Sequence, residues 1–108
     1  MNDLAVLLLA AGGSSRLGRP KQLISIEGTS LLRRAAHEAL AARVGPVLVV
    51  LGAHAERTRP EIADREVEGL FHRGWEQGMG SSIVAGLTHL LTGLHPPTRV
   101  LLMLCDQP

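Results

Sequence analysis

The chain has 108 residues, close to the commonest size for one domain, and 45% of them are hydrophobic, enough to build a core. With one Phe, one Trp and no Tyr, that core must be made of Leu, Val, Ile and Ala. The net charge of +1, without a Lys/Arg block or basic–aromatic interleaving, argues against a nucleic-acid partner, and the single cysteine, Cys105, excludes an intrachain disulfide and fits a cytoplasmic setting.

Leu4–Ala11 is a continuous apolar run. An unbroken run suits a central parallel strand covered on both faces. It is too short for a signal-peptide core or a membrane span, and Asp3 stands where a basic leader region would be. Neither export nor a membrane is expected. Gly12-Gly13-Ser14-Ser15 breaks the run, and three cations, Arg16, Arg19 and Lys21, follow at once. A buried strand that ends in a glycine-serine turn presents backbone N–H groups, and cations beside it suit a phosphate-bearing ligand. The dinucleotide fingerprint G-x-G-x-x-G fails here, because Gly12 and Gly13 are adjacent and Ser14 replaces the second glycine. The P-loop pattern nearly fits from Gly13 to Gly18, but Arg19-Pro20 replaces its Lys-Ser/Thr.

Gly28 separates a short segment, Gln22 to Glu27, from a helix that starts near Thr29 or Ser30. Either hydroxyl suits an N-cap. Leu32, Ala35, Ala36, Ala39 and Leu40 recur at helical spacing, and Gly45-Pro46 is expected to stop the helix. Val47–Leu51 reads as a second buried strand, and Pro60 as the first turn of a short helix through Ala63. Glu66–Phe71 is a weaker, alternating strand. A loop containing Gly74, Gly78 and Gly80 around the only Trp, Trp75, precedes a helix expected to start at Ser81 or Ser82. Its apolar residues, Ile83, Val84, Leu87, Leu90, Leu91 and Leu94, are expected on one face. Trp75 is expected to plug the core edge. Val100–Leu104 is a fourth strand, followed by Cys105-Asp106-Gln107-Pro108.

Mostly apolar strands alternating with helical segments argue for a parallel α/β sheet with right-handed crossovers. Ligands in such sheets sit beyond the carboxyl ends of the strands. The turn after the first strand and Asp106 after the fourth both fall there. Asp106 reads either as a turn or cap residue or as a ligand for Mg²⁺. Cys105 reads as a small buried hydrophobe. Gly78-Met79-Gly80-Ser81-Ser82 offers N–H groups at a helix start. The five histidines, His37, His54, His72, His89 and His95, show no metal-ligand spacing and read as ordinary polar or surface residues.

Leu9-Ala10-Ala11-Gly12-Gly13-Ser14-Ser15-Arg16-Leu17-Gly18-Arg19-Pro20-Lys21 resembles the L-A-A-G-x-S-x-R-x-G-x-P-K signature of the MobA-like nucleotidyltransferases. Trp75–Ile83 resembles the W-x-x-G-M-x-x-S-[LI] segment of their molybdenum cofactor cytidylyltransferase branch, and Cys105-Asp106-Gln107-Pro108 its C-D-Q-P. The resemblance implies a Rossmann-like α/β fold and transfer of CMP from CTP to the terminal phosphate of molybdopterin, with release of pyrophosphate. It implies that the backbone of Leu9, Ala10, Ala11, Gly12 and Gly13, with Ser14 and Ser15, borders base and phosphates. Arg16 would neutralise the β/γ-phosphates, Lys21 would hold the α-phosphate region, Gly80, Ser81 or Ser82 would meet the nucleoside, and Asp106 would bind Mg²⁺. Ala10-Ala11-Gly12 favours CTP over GTP within the family. A molybdoenzyme or its maturation factor is the implied protein partner. Family members continue for a comparable length, so residues 1–108 read as the nucleotide-binding N-terminal part of one domain, its acceptor-binding half absent. The isolated chain is then expected to bind nucleotide weakly and not to turn over. His72 departs from the family, which has Asn there. The competing readings are a cytidylyltransferase for a sugar or sugar-alcohol phosphate, of the methylerythritol-phosphate type that shares Pro20-Lys21-Gln22, and a non-catalytic nucleotide- or partner-binding module.

Overall fold

A computed structural model describes residues 3–12 and 21–105, and of Lys21 the backbone only. The apolar run forms β1 (Leu4–Ala10). A 3₁₀ turn at Lys21–Leu23 leads into a small antiparallel hairpin, β2 (Ser25–Ile26) and β3 (Thr29–Ser30). Glu27 and Gly28 at its tip both take positive φ, 55° and 84°, as a tight two-residue hairpin turn requires. Then follow α1 (Leu31–Ala41), β4 (Val47–Leu51), α2 (Ala55–Thr58) with a 3₁₀ extension over Arg59–Glu61, β5 (Glu68–Phe71), a 3₁₀ turn at Trp75–Gln77, α3 (Met79–Leu91) and β6 (Arg99–Leu104).

Four strands form one parallel sheet in the order β5-β4-β1-β6. From β1 the chain steps outward to β4 and β5, then crosses to the far side of β1 for β6. The strand order therefore reverses between β1 and β6, which is where an open α/β sheet opens a crevice at its carboxyl edge.

The unbroken apolar run follows from helices on both faces. Val6, Leu8 and Ala10 join Leu32, Ala35, Ala36 and Ala39 of α1 in one core layer. Leu7 and Leu9 face the other layer, against Ile83, Leu87 and Leu90 of α3. Val6, Leu7 and Leu8 have no exposed surface, and burying each such side chain is worth roughly 1.5–3 kcal/mol. α3 lies close because Gly86 carries no side chain: a Cβ there would meet the Cδ1 of Leu7 at 2.4 Å.

The cap of α1 is one of the two hydroxyls expected, while several other boundaries differ from the sequence expectation. Ser30 is the N-cap of α1, accepting a hydrogen bond from the Arg33 backbone N–H at 3.1 Å. The helix ends at Ala41, before Gly45-Pro46, because Arg43 reverses the chain with φ of 53°. Gly45 serves a different purpose, since a Cβ there would lie 1.7 Å from the Leu4 carbonyl oxygen. The segment near Pro60 turns helical earlier, at Ala55, and Pro60 sits in the 3₁₀ extension. The third strand starts at Glu68, two residues late. α3 starts at Met79, with Gly78 as N-cap at φ of 101°, so neither Ser81 nor Ser82 caps it. Its apolar residues do not share one face: Val84 is 63% and Leu91 57% exposed, and Leu94 lies past the helix end. β6 is half-covered, with Leu101 and Leu102 exposed, and among the described residues it pairs with β1 alone.

Arg33 ties α1 to the segment after α2. Its guanidinium meets the two carboxylate oxygens of Asp64 at 2.7 and 2.8 Å and donates to the Glu61 carbonyl at 2.9 Å. The hydrogen bonds from Arg33 hold the Asp64 carboxyl down at about 2. A carboxyl depressed in the folded state adds stability that is complete above its unfolded value of 3.8 and is lost as pH falls toward about 2. Asp64→Asn should flatten that stretch of the acid limb in urea titrations at stepped pH, with the largest difference from wild type above pH 4 (roughly). Gly45→Ala should lower the stability by about 1–3 kcal/mol in the same titrations, because its Cβ must push back the β1 backbone.

Candidate functional site

The carboxyl edge of the sheet gathers the loops after β1, β4, β5 and β6. Leu9, Ala10 and Ala11 are 7%, 3% and 4% exposed, so their side chains are spent in the core and only their backbone is left to face a ligand. Gly12 is exposed. Gly13, Ser14, Ser15, Arg16 and Asp106 lie outside the described residues, as does the side chain of Lys21. The chain nevertheless reaches Cys105 beside the end of β1. Leu9 and Leu104 are register partners, and the Cys105 N–H donates to the Leu9 carbonyl at 3.3 Å. Cys105 itself is buried, 5% exposed.

One side chain fixes the start of the turn. Gln22 is 4% exposed, and its amide nitrogen donates to the Ala10 carbonyl at 2.8 Å and the Gly12 carbonyl at 3.0 Å. Two carbonyls facing one side-chain end identify it as the nitrogen end, since oxygen there would meet only acceptors. The other end, Oε1, is buried and has no hydrogen-bond partner among the described residues. Gln22 therefore draws the last carbonyl of β1 and the Gly12 carbonyl toward one point. The sequence reading did not single it out; the only signal was its place directly after Lys21.

Gly52, at the end of β4, lies between the turn and the loop after β5. A Cβ on it would stand 2.7 Å from both the Ala11 carbonyl oxygen and the Trp75 Cβ. The Ala53 N–H donates to that same Ala11 carbonyl at 3.3 Å. Trp75 packs on the α3-side core layer, as a plug at its edge would.

The loop after β5 is tied to α3 through Ser81. Its hydroxyl lies 2.8 Å from the Gly78 carbonyl, 3.1 Å from the Gly74 carbonyl and 3.0 Å from Nε2 of His72. A hydroxyl has one proton and carbonyls only accept, so the proton goes to the carbonyls and His72 donates through Nε2. Ser82 is 4% exposed and faces the core, whereas Gly80 is exposed. The serines that looked like caps or nucleoside contacts thus hold the loop and fill the core with their side chains. At the start of α3 the Met79 side chain is 56% exposed, and Gly80 exposes backbone beside it. Among the described residues, no group of three or more His, Cys, Asp and Glu is placed to hold a metal ion, and no helix is long and apolar enough to cross a membrane.

The MobA-like NTP transferase domain matches residues 6–108. The chain belongs to that family. Among curated proteins, this MobA-like domain is 36% identical over 103 residues to a nicotine blue oxidoreductase from Paenarthrobacter nicotinovorans, covering 94% of the chain and 48% of that protein. It is 32% identical over 98 residues to the bifunctional protein GlmU of Mycolicibacterium vanbaalenii, covering 83% of the chain and 20% of GlmU. Among solved structures, a nucleotidyl transferase from Methanothermobacter superposes with a TM-score of 0.82 at 23% identity, over 100% of the chain and 52% of its own. Rv0371c from Mycobacterium tuberculosis superposes with a TM-score of 0.74 at 31% identity, over 97% of the chain and 53% of its own. The chain thus spans about half the length of these structures and of the oxidoreductase.

Gln22→Ala removes two hydrogen bonds at a buried position and should cost about 1–3 kcal/mol in chemical denaturation. Gln22→Glu should cost more at neutral pH, where a carboxylate would face the two carbonyls, and should recover toward the alanine variant as the pH is lowered. Equal stabilities of the two variants at every pH would show that the side chain does not hold those carbonyls.

Proposed function

We propose that this MobA-like domain is the nucleotide-binding part of a nucleotidyltransferase that moves CMP from CTP onto the terminal phosphate of molybdopterin. A phosphate oxygen of the acceptor attacks the α-phosphorus, the bond to the β-phosphate oxygen breaks, and pyrophosphate leaves. The reading rests on one observation above others. β1 and β6 are neighbours at the point where strand order reverses, so Ala11 and Gly12, which precede the rest of the glycine-serine segment, and Cys105, which precedes Asp106, leave the sheet side by side.

The backbone of Leu9 to Gly13, with Ser14 and Ser15, would border the base and phosphates. Arg16 would neutralise the β/γ-phosphates and Lys21 the α-phosphate region. Gly80, Ser81 and Ser82 would act through the N-terminal backbone of α3. Asp106 would hold Mg²⁺, whose preference for carboxylate and phosphate oxygens fits that position. One Rv0371c structure is a manganese complex, which supports a divalent ion for this family member too. The metal would supply charge neutralisation to the phosphates. Transfer of this kind gains mostly from positioning and charge, so the chain's own amides and cations are the groups that matter. The Ala10-Ala11-Gly12 sequence supports CTP. The acceptor-binding half and the remaining carboxylates would come from the rest of a longer protein.

The resemblance to a protein named nicotine blue oxidoreductase favours one second reading, a redox enzyme built on the same nucleotide-binding half. Pyrophosphate release, measured on the full-length protein with Mg²⁺, molybdopterin and each of the four common NTPs, separates the two. CTP should be preferred; a clear preference for GTP would overturn the cytidine assignment. Bleaching of nicotine blue by a nicotinamide reductant, with no pyrophosphate from any NTP, would favour the oxidoreductase. Arg16→Ala and Lys21→Ala should each lower kcat/KM by about 10²–10³, the scale of one lost preorganised charge stabiliser. A loss under about tenfold would remove that residue from the proposed chemistry.

A further inference from the structure

Residues 13–21 run between Gly12 and Gln22 and contain Arg16, Arg19 and Lys21. The two ends of that stretch meet in one side chain. Gln22 lies in the 3₁₀ turn Lys21–Leu23, and its amide donates to the Ala10 carbonyl at 2.8 Å and to the Gly12 carbonyl at 3.0 Å. These bonds reach back twelve and ten residues, so they are not the local bonds of a turn. Gln22 is 4% exposed. Burying an amide where Met or Leu would fill a similar volume carries a desolvation cost, and what it obtains here is a hold on the chain as it leaves β1. Lys21 comes with it: neighbouring Cα atoms are about 3.8 Å apart, so whatever fixes Gln22 against the end of β1 fixes the Lys21 backbone beside it. The two carbonyl oxygens carry partial negative charge, and the Gln22 amide offsets it at the point where a phosphate would otherwise meet it.

We propose that Gln22 is a positioning residue for the phosphates of a nucleoside triphosphate. It clasps the two ends of residues 12–21 together before the ligand arrives, so the ordering cost of gathering the cations between them is met on folding and not on binding. The proposal rests on the nucleotide-binding reading above and adds to it the group that sets the phosphate end of the site. Gln22 acts through the Ala10 and Gly12 carbonyls and through Lys21, its neighbour in the chain.

The test uses the full-length protein with Mg²⁺, the NTP that the wild type binds most tightly, and the matching nucleoside. Gln22→Met keeps the length of the side chain and removes its donor. It should bind the NTP about tenfold more weakly, the scale of one or two lost hydrogen bonds, and the nucleoside within about twofold of the wild type. Gln22→Glu should also bind the NTP more weakly at neutral pH. Its affinity relative to the wild type should rise as the pH is lowered, because a protonated carboxyl regains one donor. Unchanged NTP affinity in Gln22→Met would overturn the proposal. So would an equal loss for NTP and nucleoside, the mark of a purely structural residue. A Gln22→Glu protein whose relative NTP affinity does not rise with falling pH would overturn it too, and that measurement decides if Gln22→Met does not fold. A wild type that binds no NTP would overturn the nucleotide-binding reading itself, and this proposal with it.

Discussion

The double-sided burial of β1 is the constraint on which the rest of this structure depends. From Ala5 to Ala10 every residue is buried, and the strand is hydrogen-bonded to β4 along one edge and β6 along the other. Side chains alternate between faces, so one strand supplies both core layers. α1 and α3 have nowhere else to bury their apolar stripes. The chain must then leave β1, through Ala11 and Gly12, in the middle of the carboxyl edge, with the ends of β4 and β6 on either side.

Much of this was legible because a strand buried on both faces writes itself as an unbroken apolar run. Leu4–Ala11 and Val47–Leu51 carry that signature, and both are strands within a residue of the expected ends. Boundaries set by single backbone conformations were harder to read. Arg43 adopts a left-handed φ where glycine would be the usual choice, so α1 stops without its expected signal. Gly78 opens α3 from a positive φ, and the serines that looked like caps lie inside the helix. In α3, Leu and Val recur often enough to suggest one broad face, yet Gly86 sets the contact line, because the helix packs where a side chain is missing.

The candidate site divides in the same way. Its place at the carboxyl edge followed from topology, and its chemistry from a run of glycine, serine and cations. The contacts that hold it come from residues distant in sequence: Gln22 reaching back to Ala10 and Gly12, and Gly52 fitting between Ala11 and Trp75. No local pattern marks such residues, because their role exists only once the strands have paired. His72 is a similar case. As a departure from the family's Asn it suggested an altered ligand contact, whereas in the structure its ring braces Ser81 and the loop around Gly74.

The partnership of β1 with β6 also bears on the order in which the protein can form. Each residue from Leu4 to Leu9 is in register with a residue of β6, as Leu4 is with Arg99, 95 residues further along, while the partners of β1 in β4 lie closer in the chain. Contacts so distant in sequence form late and slow a fold that relies on them. During synthesis the most apolar stretch of the chain emerges first and must wait, with one edge open, until nearly a hundred residues have followed it (about 5–20 s at ordinary elongation rates). For that interval its unpaired edge is a template for other chains. A strand buried on both faces in the finished fold is thus the one that waits longest for its second partner.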